Sequence, residues 1–265
     1  MGAVSIDPRP RPNENVLSGT GPLGVHVELP EGSGPWPAVV VIHDASGLTA
    51  DTVRQCQWLA GAGFIAAAPD LFDGGSMLGC LREVIREFTT WQGHVFDQVE
   101  AVRADLAARP DCTGRMGVLG FCMGGGFALA LAPGHGFQAA SANYGMLPKD
   151  AERFFRGSCP IIGSYGGRDR SLKGAAATLD AALAVAGVEH EVHEYPQAGH
   201  GFLNDHGPGE VPFLFQAVAP IARTRYHRPS AELARERIVR FLRQHLIESS
   251  DTDPADSTRP ADPSV

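Results

Sequence analysis

Short apolar segments recur through the middle of the chain, separated by longer amphipathic stretches. Five of them are apolar almost throughout: PAVVVIH (37–43), GFIAAAP (63–69), RMGVLGF (115–121), FQAASANY (137–144) and CPIIGSY (159–165). Strands without polar alternation are typical of a parallel sheet that is covered on both faces. A sixth segment, VEHEVHEY (188–195), is more polar, and we expect it to lie nearer an edge of the sheet.

Helical patterns lie between and after these predicted strands. In 95–109, apolar residues recur with the spacing of one helical face. Segment 174–187 is rich in Ala and Leu and ends at Gly187, a residue type that commonly follows a helix. Segment 230–247 has another apolar face, and Ser230 is its expected N-cap.

The alternation of strands and helices predicts an α/β fold. Right-handed βαβ units would build a doubly wound, mostly parallel sheet with helices on both faces. The predicted single domain covers residues 23–247, after a loosely tied, Pro-rich lead-in at 1–22. Residues 248–265 have almost no apolar side chains, so we expect a disordered tail. Ligands of such sheets bind beyond the carboxyl ends of the strands, so functional residues should follow the strands directly.

Charge and hydropathy exclude several classes of partner. The net charge is −8 and the pI is about 5.6, which argues against a basic nucleic-acid-binding face and against binding to anionic membranes. A membrane-spanning helix needs about 18 consecutive apolar residues, and no apolar run in the sequence approaches that length. The N-terminal segment lacks a basic start followed by an apolar run, so no secretory signal is expected and the predicted location is cytoplasmic.

The sequence predicts neither a metal site nor a cofactor. No C-x-x-C pair occurs, which excludes a zinc knuckle and a thioredoxin motif. His190 and His193 lie three apart in a predicted strand, so they should face opposite sides and cannot share a metal ion. Reduced thiols are expected for most of the five cysteines, which are Cys56, Cys80, Cys112, Cys122 and Cys159.

A candidate nucleophile lies between a predicted strand and a predicted helix. The segment Gly120-Phe121-Cys122-Met123-Gly124 matches the G-x-S-x-G pattern of a nucleophile elbow, with Cys in place of Ser. Glycines on either side let the backbones of a tight strand-to-helix turn pass each other. The amides at the start of the helix favour a thiolate and can stabilise an oxyanion. The alternative is a buried Cys in a Gly-rich turn that serves packing alone.

An acid and a histidine follow in the chain order that such elbows require. Asp169 comes after the strand at 159–165, and His200 comes after the strand at 188–195. Asp169 would orient His200, which would take the proton of Cys122 or hold a thiolate–imidazolium pair. The alternatives are a turn Asp and a surface-loop His.

Two backbone amides are the candidate oxyanion donors. Met123 is the residue after the nucleophile. Ala45 lies in the loop after the first core strand.

These motifs resemble the dienelactone hydrolase (carboxymethylenebutenolidase) family. Further resemblance is carried by VIHDASGL (41–48), APDLF (68–72) and GHGF (199–202), and it extends from about residue 20 to 246. The resemblance implies an α/β-hydrolase fold with Cys122, Asp169 and His200 as the catalytic residues. It also implies that Asp44 tunes the thiol, although Asp44 could instead cap the following helix.

The substrate-binding residues of the family are matched less completely than its catalytic residues. The arginines that hold a substrate carboxylate in the family are not matched: Asn204 stands at one position, and Val84 aligns with the other, with Arg82 and Arg86 nearby. Dienelactone itself is therefore not the expected substrate. The connection 205–229 is long, as lids and binding loops are. The candidate pocket residues are His43, Phe88, Tyr144, Phe202 and Asn204.

The function predicted from these features is hydrolysis of small esters or lactones through an acyl-thioester. The alternative is a thiol-bearing binding or redox-sensing protein on the same fold, with little turnover. The expected partner is a small-molecule substrate, with no nucleic acid and no membrane, and the expected assembly is a monomer or a homodimer.

Overall fold

The computed structural model of this chain describes residues 10–19, 21–72, 93–210 and 224–247. Phe88, one of the predicted pocket residues, lies outside the described residues, and so does the tail 248–265. The connection 205–229 is described at its two ends.

A mixed, mostly parallel sheet organises the described residues. Its strands are β1 (Glu14–Ser18), β2 (Gly21–Glu28), β3 (Trp36–Ile42), β4 (Ile65–Pro69), β5 (Cys112–Phe121), β6 (Ala139–Asn143), β7 (Ile161–Gly166) and β8 (His190–Tyr195). They follow the spatial order β1-β2-β4-β3-β5-β6-β7-β8. β2 pairs antiparallel with both β1 and β4, and the other neighbours are parallel. The predicted α/β fold is confirmed, and β8, the most polar predicted strand, lies at an edge.

Helices cover both faces of this sheet. They are α1 (Ala50–Gly61), α2 (His94–Ala108), α3 (Met123–Leu131), α4 (Ala151–Phe154), α5 (Ala175–Ala186) and α6 (Arg228–Leu246). Successive β3 side chains alternate between two apolar clusters, because side chains of a strand point to opposite faces. Val40 and Ile42 belong to the cluster that includes α2, α3 and α5 residues. Val39 and Val41 belong to the cluster that includes α1 and α6 residues.

The last helix begins earlier than predicted. Its N-cap is His227 rather than Ser230, and Pro229 lies in its first turn. A proline is accommodated there because the first helical N–H groups have no intrahelical acceptor in any case. Ser230 instead contacts His227 through its hydroxyl, 2.8 Å from Nδ1. The prediction of Gly187 as the end of the preceding helix is confirmed, since it adopts the left-handed conformation there.

The sheet also begins before residue 23, within the segment predicted to be a loose lead-in. β1 pairs with β2 as a hairpin, and Val16 is buried whereas Leu17 is exposed. Arg109 donates to the Glu14 carboxylate, with a nitrogen–oxygen distance of 3.1 Å, and so ties the hairpin to the end of α2. A five-residue strand with a single buried apolar side chain leaves too weak an alternation to be recognised in the sequence.

None of the helices in the described part of the chain is long and apolar enough to cross a membrane.

Substitution of Phe241 by Ala should strongly destabilise the fold. Phe241 is 1% exposed and packs in the cluster between α6 and the sheet. Loss of a buried Phe side chain costs about 3–5 kcal/mol of unfolding free energy, because a cavity remains. Urea denaturation followed by circular dichroism measures this change. Leu233→Ala is the matched control on the same helix, since Leu233 is 42% exposed. Equal losses for the two variants would contradict the packing described for α6.

Candidate active site

The three predicted catalytic side chains follow three strands of the parallel part of the sheet. Cys122 follows β5, Asp169 follows β7, and His200 lies in the loop after β8. Because parallel strands end at the same edge of the sheet, these loops meet on one rim. His200 is thereby in hydrogen-bond contact with Cys122, which lies 78 positions away in the chain, and with Asp169, which lies 31 positions away.

Cys122 occupies the sharp turn between β5 and α3. Its backbone has φ 53° and ψ −112°, a conformation that non-glycine residues rarely adopt. A hydrogen bond from its amide to the Asn143 carbonyl, 3.0 Å long, helps to hold the turn. Such strained backbone persists only where the surroundings determine it, and it is common at functional sites.

The glycines around Cys122 are required by backbone contact. A Cβ on Gly120 would lie 1.9 Å from the Gly124 carbonyl oxygen, inside any permitted contact distance. A Cβ on Gly124 would lie 2.3 Å from the Ile42 oxygen and 2.6 Å from the His43 oxygen. The start of α3 therefore lies directly against the end of β3 and the loop that follows it.

The imidazole of His200 lies between the sulfur and a carboxylate. Its Nε2 is 3.1 Å from Cys122 Sγ, and its Nδ1 is 2.6 Å from Asp169 Oδ2. The other carboxylate oxygen of Asp169 accepts hydrogen bonds from the Ser171 amide and hydroxyl, at 2.9 and 2.5 Å. The carboxylate is therefore held in one orientation, and it fixes the ring in turn. Ser171 was not identified from the sequence, where it is an ordinary turn residue.

These contacts shift the pKa values of Asp169 and His200. Burial raises the pKa of Asp169, but hydrogen bonds from His200 and Ser171 outweigh it and hold that pKa below its usual value. Burial lowers the pKa of His200, but its hydrogen bonds to Asp169 and Cys122 outweigh that effect and raise the pKa to about 10. His200 thus carries a positive charge at neutral pH, directly beside the sulfur.

The two predicted oxyanion donors lie in adjoining segments. Met123 is the first residue of α3, so its amide has no acceptor within the helix. Ala45 lies in the loop from β3 to α1, which Gly124 approaches at the His43 carbonyl. Both residues are partly exposed.

Among the described residues, the hydrogen bonds of the Asp44 carboxylate go to groups other than the thiol. Its carboxylate accepts hydrogen bonds from the Ser46 amide at 2.8 Å and from His206 Nε2 at 2.8 Å. The alternative that Asp44 caps the next helix is wrong, because α1 begins at Ala50 and its N-cap is Thr49. Burial raises the pKa of Asp44, but its contact with His206 outweighs this and lowers the pKa below the usual value. His206 was not identified from the sequence.

Two of the predicted pocket residues support the site from within the core. His43 and Phe202 have no exposed side-chain surface. His43 Nδ1 donates to the Asp44 carbonyl at 2.7 Å, and its Nε2 accepts from the Leu71 amide at 3.2 Å. Both nitrogens are used, and burial lowers the pKa of this ring, so His43 is neutral and structural. The prediction that these two side chains line a substrate pocket is therefore wrong for the described conformation.

Tyr144 and Asn204 are also turned inward. The Tyr144 hydroxyl donates to Asn204 Oδ1 at 2.5 Å, and Asn204 Nδ2 donates to Asp51 Oδ2 at 2.7 Å. Asn204 is 7% exposed and has both ends of its amide bonded, so it is not free to hold a substrate. The Tyr144 ring packs edge-on against His200, with centroids 5.2 Å apart. This network fixes the loop that carries His200, and pocket lining was the wrong role for both residues.

Asp51 was missed because an acidic residue in the first turn of a helix is ordinary. Its bond to Asn204 joins residues 153 positions apart, and no local pattern marks such a pair. Across the described ranges, no group of three or more His, Cys, Asp or Glu side chains could hold a metal ion.

The fold of the chain is similar to that of two solved structures. The dienelactone hydrolase-like promiscuous phosphotriesterase from metagenomic libraries has a TM-score of 0.69 at 22% identity, over 88% of this chain and 97% of that one. Esterase 2 of Thermogutta terrifontis has a TM-score of 0.60 at 19% identity, over 86% of this chain and 93% of that one.

The dienelactone hydrolase family model matches residues 23–246, and the chain belongs to that family. The carboxymethylenebutenolidase of Pseudomonas putida is 29% identical over 190 residues, which is 67% of this chain and 79% of that protein. A carboxymethylenebutenolidase of a Pseudomonas sp. is 29% identical over 206 residues, or 73% and 85% of the two chains. The chain is a dienelactone hydrolase-like hydrolase.

The pKa of His200 should fall when the sulfur is removed. In the wild-type protein, His200 should stay protonated through neutral pH and lose a proton only as the pH rises through about 10. Cys122→Ala removes one of the two hydrogen bonds that raise this pKa, so the titration should move to lower pH. NMR of ring-labelled histidine measures the shift, with Cys112→Ala as the control. An unchanged His200 titration in Cys122→Ala would contradict the contact between ring and sulfur.

Proposed function

We propose that the protein hydrolyses small carboxylic esters or lactones, with Cys122 as nucleophile, His200 as acid and base, and Asp169 as the residue that orients His200. The observation that carries this proposal is the continuous contact from sulfur to imidazole to carboxylate, at 3.1 and 2.6 Å. A nucleophile within reach of a base that is itself oriented by a third group is the general signature of covalent catalysis.

In the first half of the reaction, the sulfur of Cys122 adds to the substrate carbonyl carbon. The carbonyl π electrons move to oxygen, and the Met123 and Ala45 amides donate to the resulting oxyanion. When the carbonyl re-forms, the carbon–oxygen bond to the leaving alcohol breaks. The proton held by His200 passes to that alcohol, and an acyl-thioester remains on Cys122.

In the second half, the acyl group changes the charge of the site. The thioester sulfur is uncharged and no longer favours a protonated His200, so the neutral ring can act as a base. It takes a proton from water as the water oxygen attacks the thioester carbon. The carbon–sulfur bond then breaks with its electron pair on sulfur, the acid leaves, and the proton stays on His200, which restores the thiolate–imidazolium pair. Cationic His200 in the resting protein and neutral His200 in the acyl-enzyme are thus compatible with one cycle.

The residue at position 204 indicates the preferred class of substrate. Asn204, at the position where the family has an arginine, is bonded to Tyr144 and Asp51. It offers no positive charge to a substrate carboxylate. We therefore propose neutral esters and lactones rather than dienelactone as the preferred substrates.

Hydrolysis of p-nitrophenyl acetate should depend on Cys122. Loss of a nucleophile of this kind lowers kcat/KM by about 10³-fold or more, so Cys122→Ala should be nearly inactive. Cys112→Ala is the matched control, because Cys112 is a partly buried thiol at the other end of β5. In the wild type, intact-mass spectrometry of a rapidly quenched reaction should show an acetyl group on Cys122.

Equal turnover by wild type and Cys122→Ala would remove Cys122 from the mechanism. Selective oxidation of Cys122 without turnover on any ester or lactone would instead favour a redox-sensing thiol.

A further inference from the structure

A second imidazole–carboxylate pair lies at the same rim as the predicted catalytic residues. His206 Nε2 is 2.8 Å from Asp44 Oδ2, and the two side chains are only 13% and 14% exposed. The contact joins the segment after His200 to the loop between β3 and α1, across 162 positions of the chain. The mechanism proposed above makes no use of His206.

Asp44 organises the loop in which Ala45 lies. Its other carboxylate oxygen accepts from the Ser46 amide at 2.8 Å. Its backbone carbonyl accepts from the Gly47 amide at 3.1 Å and from His43 Nδ1 at 2.7 Å. Ala45 stands between Asp44 and Ser46, so its peptide groups are constrained from both sides. The Ala45 amide shares its peptide plane with the Asp44 carbonyl, and the Asp44 side chain holds the next peptide of the loop through the Ser46 amide.

The surroundings of His206 favour its charged form. Three carboxylates act on the ring: Asp44, Asp51 and Glu210, whose Oε2 is 3.6 Å from Nδ1. Arg54 lies 3.5 Å from Asp51 and 3.6 Å from Glu210 and balances part of this charge. Burial lowers the pKa of His206, but the hydrogen bond to Asp44 and these carboxylates outweigh it and raise that pKa above its usual value. A charged donor makes the bond to Asp44 stronger than a neutral one would.

We propose that His206 is a positioning residue for the oxyanion site: by holding the Asp44 carboxylate, it keeps the β3–α1 loop in the conformation that directs the Ala45 amide at the reacting carbonyl. This inference rests on the proposed function, because it assigns a task within the same acyl transfer. It concerns the donor side of the site and leaves the activation of the sulfur to His200 and Asp169. A small displacement of such a donor slows the reaction, because the donor stabilises the oxyanion only if it is already in place when the negative charge develops.

The test separates the oxyanion site from the nucleophile. A trifluoromethyl ketone accepts the Cys122 sulfur at its carbonyl carbon and leaves a negative oxygen in the oxyanion site, whereas iodoacetamide alkylates the sulfur without needing that site. His206→Phe keeps a ring but removes the donor, and His206→Gln restores a neutral N–H. The matched control is His193→Phe, which breaks a 3.0 Å histidine–carboxylate pair with Glu191 on edge strand β8.

His206→Phe should lower both the ketone affinity and kcat for p-nitrophenyl acetate on the order of tenfold, because a donor slightly out of place loses part of its effect. KM and the iodoacetamide rate should stay within about twofold of wild type, since binding and the nucleophile are untouched. His206→Gln should recover only part of the loss, because its neutral N–H makes a weaker bond to Asp44 than the charged ring does. His193→Phe should behave as wild type.

Unchanged ketone affinity in a folded His206→Phe protein would overturn the inference, and so would an equal fall in the alkylation rate. If His206→Phe does not fold, Asp44→Asn decides in its place. That variant can still accept from the Ser46 amide but loses the charged pair, so it should show the same selective loss. A wild type without Cys122-dependent turnover or a ketone adduct would overturn the proposed function as well. An active wild type with an unaffected His206→Phe would overturn this inference alone.

Discussion

Backbone contact around the β5–α3 turn is the constraint on which the site depends. Gly124 approaches the Ile42 carbonyl, and Gly120 approaches Gly124, at distances that leave no room for a Cβ. The chain can then turn from strand to helix at Cys122, in a backbone conformation that its neighbours must enforce. These two contacts therefore bring together the sulfur, the first amides of α3 and the loop after β3. These are the groups that an acyl transfer requires at one place.

Around this turn, charged groups are arranged in two similar pairs with different surroundings. His200 lies between Asp169 and the sulfur, so its charge acts directly on the Cys122 sulfur. His206 contacts the Asp44 carboxylate in the loop that contains Ala45, so its charge acts on a side chain of that loop and not on the sulfur. Both imidazoles have raised pKa values, but they can have different roles in one site, because the groups that their nitrogens contact are different.

A buried polar network supports the loop of His200 from behind. Tyr144, Asn204 and Asp51 are joined by short hydrogen bonds, and every polar atom in this chain of contacts has a partner. Such networks are costly unless fully satisfied, and when satisfied they define one conformation. Asn204 illustrates the consequence for specificity. Its amide is committed to the scaffold, so family membership by itself does not transfer the substrate of the named relatives to this chain.

The sequence alone determined the strand–helix alternation, the elbow at Cys122 and the order in which Asp169 and His200 follow it. These features are local, because periodicity and glycine spacing act over a few residues. Only the tertiary structure decided that β1 joins the sheet, that His43 and Asn204 face the core, and that His206 meets Asp44. Those outcomes depend on contacts between distant segments, up to 162 positions apart, and on loop conformations that no short-range pattern encodes.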